Sequence, residues 1–147
     1  MSDLSPGSAS RASLFPRAPR LEASPGSESG FSENEYADLV NPYTPALVLS
    51  PDGFVHHLTE AARRLLEYRP DQEFDSYFFT HVHGKNMHRV MRDLAAMVKH
   101  GSEKASWLLR MRTGRSGRWR WYRAEATNCL SLATPAITVR LRDLHQW

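Results

Sequence analysis

Between Thr113 and Asn128 the chain reads TGRSGRWRWYRAEATN, where Arg118, Arg120 and Arg123 are interleaved with Trp119, Trp121 and Tyr122. Guanidinium groups follow phosphates and aromatic rings stack on bases, so single-stranded nucleic acid would suit this mixture if both kinds shared one face. In an extended segment Arg118, Arg120 and Tyr122 fall on one face, and Trp119, Trp121 and Arg123 on the other. Separation of that kind fits a half-buried strand with a wet side better than a nucleic-acid track. The six arginines from Arg110 to Arg123 still make a basic surface, suited to an acidic protein partner. His56, His57, His81, His83, His88 and His100 are the other groups with chemical potential. His81 and His83 stand two apart in HVHG without a matching carboxylate or thiolate cluster, which does not make a metal site. The single Cys129 excludes a disulfide framework and a multi-thiolate centre, and it fits a reducing, cytoplasmic setting. With neither a nucleophile elbow nor a Gly-rich phosphate loop, the chain is expected not to be an enzyme.

These residues must be held by a single core, because 147 residues suffice for one domain and not comfortably for two. An apolar content of 41% and a charged content of 24% are those of a globular protein, and the net charge of +3 leans only slightly toward polyanions. No apolar run approaches the roughly 20 residues of a membrane span. The N-terminus has no apolar core of a secretory signal. Residues 1–30 are rich in Ser, Pro, Gly, Ala and Arg without periodicity, so they read as a disordered tail. Residues 31–147 read as the folded domain.

Folding begins at GFSENEYADLVNP, where Ser32 is a candidate N-cap with Glu35 three residues on, and Phe31 can staple onto Tyr36. This helix must stop by Asn41, ahead of Pro42. Ala46–Leu49 and Phe54–Leu58 flank the turn residues Pro51, Asp52 and Gly53, which predicts a hairpin. Thr59 caps a helix with Ala61, Ala62, Leu65 and Leu66 on one stripe, closed by Pro70. From Lys85, Met87, Val90, Met91, Leu94 and Val98 recur at helical spacing until Gly101. Three segments of strand-like alternation complete the chain, separated by Gly114–Gly117 and by a turn over 131–135. The result is an α+β domain: a five-stranded antiparallel sheet, its helices grouped on one side, and a short N-terminal flanking helix.

The segments LVLSPDGFVHHLTEAARRLLEY, THVHGKNMHRVMRDLAAMVKHG, RMRTGRSGRWRWYRAEATN and ITVRLRDL make the sequence resemble the PAS domain family with its C-terminal PAC portion, over a core of residues 45–144. Thr59 stands where the family commonly has Asn, and Glu67 where it often has Gly. The resemblance implies a sensory and interaction module. No effector follows the last strand, so output is expected through a protein partner, such as a kinase or transcription regulator, or through a homodimer. The alternative is a small-molecule sensor with a pocket lined by Leu66, Met87, Met91, Leu94, Trp107 and Leu109. Some family members bind haem through a histidine on the long helix, where this chain has His88. That residue lies off the apolar stripe, so no cofactor is expected. The flavin photosensors' Asn-Cys-Arg-Phe box is replaced here by Gly84-Lys85-Asn86-Met87. Tyr36, Leu39 and Val40 with Trp119 and Trp121 are the candidate protein-interaction residues.

Overall fold

The computed structural model describes residues 32–144, so the expected tail over 1–30 and the Phe31 staple lie outside the described residues. Helix α1 spans Glu33–Leu39. Ser32 Oγ accepts the Glu35 N–H at 3.1 Å and Glu35 Oε1 accepts the Ser32 N–H at 2.9 Å, which completes the capping box. Strands β1 (Ala46–Leu49) and β2 (Val55–Leu58) form the predicted hairpin, with a register shift after Val48. Helix α2 spans Glu60–Leu65. The buried Thr59 Oγ1 accepts the Ala62 N–H at 3.1 Å and the Ala46 N–H at 3.0 Å, and donates to the Thr44 carbonyl at 2.7 Å.

Helix α2 ends well before Pro70, contrary to the sequence expectation. Tyr68 N–H reaches the Arg63 carbonyl at 2.8 Å and Glu67 N–H the Arg64 carbonyl at 3.0 Å, a left-handed closing turn with Glu67 at φ 65°. A 3-10 turn over Phe78–His81 leads into helix α3, Gly84–His100, which Gly101 terminates at φ 72°. The apolar stripe of α3 is centred on Val90, Leu94 and Met97, while Met87, Met91 and Val98 pack at its margin. The pattern Met87, Val90, Met91, Leu94, Val98 therefore located the right face but left out Met97.

Strands β3 (Lys104–Arg112), β4 (Trp119–Cys129) and β5 (Ala136–Asp143) complete an antiparallel sheet of order β2-β1-β5-β4-β3. Its inner face carries Leu47, Leu49, Leu109, Tyr122, Val139 and Leu141 against α3 and Phe78 in one core. Ala46, Val48, Thr138, Ala136 and Cys129 alternate with inward residues, yet they too are buried. Helix α1 lies near Cys129, since the Glu35 and Glu33 charges act on the Cys129 thiol and Cys129 acts on the Tyr36 hydroxyl. The half-buried Tyr36, Leu39 and Val40 fit a position of α1 against the Cys129 end of the outer face, while among the described residues nothing covers Leu108, Trp119 and Trp121 of the β3–β4 half.

His81 is buried in this core: Nε2 donates to the Asp75 carbonyl at 2.7 Å, and the ring stacks on Phe74 at 4.0 Å. Desolvation holds its pKa below the ordinary value, and Arg112 adds to this, while the Asp75 carbonyl and carboxylate oppose it. The folded protein therefore binds this proton less readily than the unfolded chain. Stability should fall as pH drops through the unfolded value of about 6.5, and level off below the folded value. Denaturant melts between neutral and mildly acidic pH should show this slope, and a His81→Gln variant should flatten it.

Candidate functional site

The uncovered half of the outer face holds exposed aromatic and aliphatic surface: Trp119 is 37% exposed, Trp121 42% and Leu108 49%. Strand alternation places them there as the sequence implied, with Tyr122 fully buried on the opposite side. Along β4 the expected separation holds, with Arg120 on the inner side and both indoles outside, but arginines of the neighbouring strand join the indoles on the outer face. Cross-strand register sets Arg110 opposite Trp121 and Arg112 opposite Trp119. The Arg110 guanidinium lies 4.7 Å from the Trp121 ring centroid and that of Arg112 5.0 Å from Trp119. Both distances are within cation–π range. Alternation along β4 alone could not reveal this, because the arginines come from β3. The signal was the Arg110-Met111-Arg112 spacing read together with the hairpin register.

The His83 ring meets Trp119 edge-on at 4.8 Å while its Nδ1 accepts the Lys85 N–H at 3.1 Å as the N-cap of α3. Desolvation and the nearby Arg110 and Lys85 charges hold its pKa below the ordinary value. The two HVHG histidines thus have separate structural partners, and among the described residues no group of three potential metal ligands converges. On the outer face Glu125 is paired with Arg140 at 2.8 Å. Arg110, Arg112, Arg123 and Arg142 form no ion pair among the described residues. Among the described residues the buried Arg110 Nε has no hydrogen-bond acceptor. Arg123 lines two grooves, one of about 330 Å³ toward Tyr43 and Arg142, the other of about 360 Å³ around the β3 edge toward Lys85 and Arg89.

Of the six candidate pocket residues, Leu66, Leu94, Trp107 and Leu109 are buried in the common core, and Met87 and Met91 lie at its margin. Trp107 and Leu109 also contribute to the 360 Å³ groove. Trp107 Nε1 donates to Asp93 Oδ2 at 2.9 Å, which ties β3 to α3. His88 is exposed on the side of α3 opposite Val90, Leu94 and Met97, and is not brought to the pocket residues. Tyr36, Leu39 and Val40 are half-buried, and α1 sits at the Cys129 end of β4. Trp119 lies at the other end, ten residues away and roughly 33 Å along an extended strand. The two groups of candidate interaction residues therefore belong to different regions of the outer face.

A charged cluster that the sequence reading did not anticipate sits on the inner side, where Arg120 Nη1 meets Glu67 Oε2 at 2.7 Å and Arg120 Nη2 meets Asp143 Oδ2 at 3.2 Å. The Glu67 hydrogen bond raises the Arg120 pKa above its already high value. This cluster joins the end of α2 to the end of β5.

Because both indoles are exposed, replacing Trp119 and Trp121 together with serine should leave a folded protein. The expected loss is about 1 kcal/mol, the size of the two cation–π contacts. A loss of several kcal/mol on thermal melting would place the rings in the core instead.

Solved structures share this architecture. A PAS domain from Colwellia psychrerythraea is 13% identical, with 78% of this chain and 98% of that one covered at a TM-score of 0.58. The PAS domain of an HTR-like protein from Haloarcula marismortui is 14% identical, with coverage of 74% and 92% and a TM-score of 0.55. A sensory box histidine kinase/response regulator from Burkholderia thailandensis is 19% identical, with coverage of 77% and 85% and a TM-score of 0.56. By sequence, neither a family model nor a curated protein matches the chain. The fold is therefore the PAS fold, a five-stranded antiparallel sheet with its helical middle packed on one face. Among the described residues no helix is long and apolar enough to cross a membrane.

Proposed function

We propose that the chain is a non-catalytic signalling module of the cytoplasm that acts through protein contacts on the outer face of its sheet. The observation that carries this reading is the β3–β4 surface, where Trp119, Trp121 and Leu108 are exposed beside Arg110, Arg112 and Arg123, which have no ion pair among the described residues. Tryptophan and arginine are the residues that most often carry binding energy at protein interfaces. The fold shared with a sensory histidine kinase supports a place in signal transduction. A photo-reactive amino acid at Leu108 should give cross-linked adducts with another polypeptide in cells. The same group at the exposed Arg64, on α2, should not. Equal labelling at both positions would sink the reading.

A second reading, small-molecule sensing, is favoured by the 360 Å³ groove in which Lys85, Arg89 and Arg123 surround the apolar Trp107 and Leu109. Its dimensions and charge suit a small anion with an apolar part. Native mass spectrometry of freshly purified protein tests it, because a retained ligand adds a discrete mass.

A further inference from the structure

The kind of partner follows from the edge of β3. Arg110 N–H donates to Asn86 Oδ1 at 2.9 Å and the Arg110 carbonyl accepts the His83 N–H at 2.9 Å, so its peptide groups point away from β4. In an antiparallel ladder the next residues of the same parity share that direction, so the peptide groups of Ser106 and Leu108 stand at the edge without a partner among the described residues. The 360 Å³ groove curves round this edge, with Lys85 and Arg89 of α3 on one side and Arg123 on the other. Beyond it stand Arg110 and Arg112, neither with an ion-pair partner among the described residues, and the buried Arg110 Nε lacks an acceptor. Among the outward positions of β3, β4 and β5 the single carboxylate is Glu125, already held by Arg140 at 2.8 Å.

We propose that the open edge of β3 and the Arg110/Arg112/Arg123 surface beside it receive an acidic protein segment in extended conformation. This rests on the reading of the outer face as a protein-contact surface and names the chemistry of the partner. Open peptide groups pair with another backbone, exposed Leu108 offers an apolar contact, and the arginines take alternate carboxylates. A second copy docked by the same surface would set like charges against each other. Nucleic acid fits less well, because each indole already carries a guanidinium where a base would stack.

The test uses the whole protein and a short fluorescent peptide alternating glutamate with leucine, its lysine-leucine counterpart and an oligothymidylate, all read by anisotropy. The acidic peptide should bind in preference to the other two, and about tenfold more weakly when salt rises from about 0.05 M to about 0.5 M. Arg110→Glu with Arg112→Glu should reverse the preference in favour of the lysine peptide. Arg123→Glu alone, which disturbs neither cation–π pair, should weaken the acidic peptide about tenfold. Leu108→Pro, which removes an edge N–H, should also weaken it. Equal binding of both peptides, or indifference of the native protein to salt, overturns the proposal. Tighter binding of the oligothymidylate replaces the protein partner with nucleic acid. A Leu108 adduct in cells without any acidic preference overturns the acidic assignment alone, whereas loss of that adduct removes the interaction reading itself.

Discussion

An Arg120→Met variant should be about 3 kcal/mol less stable than the native protein, because it leaves the largely covered Glu67 carboxylate without its cation and takes the Arg120 contact from Asp143. Arg120 bridges Glu67 at 2.7 Å and Asp143 at 3.2 Å, and all three side chains are at most about a fifth exposed. Glu67 also holds a left-handed backbone, φ 65°, at a position where a side chain costs about 1 kcal/mol. The ion pair offsets that strain. A Glu67→Gly variant relieves the strain while losing the pair, and Arg120 keeps Asp143. Its loss should therefore be smaller than that of Arg120→Met. Denaturant unfolding of both variants checks the order. A loss of less than about 0.5 kcal/mol for Arg120→Met, as for an ordinary surface change, would mean that the cluster does not stabilise the fold.

Gly114→Ala should cost about 2 kcal/mol, through overpacking rather than through turn geometry. A Cβ at Gly114 would stand 2.6 Å from Cγ of Tyr68. Relief by a backbone shift is blocked, since Gly114 N–H donates to the Leu66 carbonyl at 2.8 Å and its carbonyl accepts Gln72 Nε2 at 2.9 Å. Relief by the ring is limited because Tyr68 is held edge-on against Phe74 at 4.9 Å. At Gly117, where φ is 71° and the space is open, the same substitution meets only backbone strain of about 1 kcal/mol. Thermal melts of the two alanine variants should rank Gly114→Ala below Gly117→Ala.

The contrast between those glycines shows what was legible in the sequence. Local rules placed the Ser32 and Thr59 caps, the Gly101 stop and the alternation of β4, because each depends on residues only a few positions apart. They did not separate Gly114 from Gly117, since the ring that crowds Gly114 belongs to the segment after α2. For the same reason Pro70 was expected to end α2, whereas a left-handed Glu67 does so with support from Arg120. The candidate site was half legible: Trp119 and Trp121 are on the outer face, but their arginine partners come from β3. Register supplied that pairing, and a single strand's pattern contains no register.

The short helix over Cys129 has a kinetic consequence. Seven residues of helix are too few to persist in water alone, so α1 holds its place only while its apolar side rests on the sheet. Beneath it Cys129 is fully buried, and desolvation pushes its thiol pKa up to about 11, so it is inert to alkylation while covered. A lifting of α1 would bare the sulfur. The rate at which this one cysteine is modified, followed by mass, would therefore count how often this half of the sheet opens, and a partner that takes the place of α1 would alter the tally.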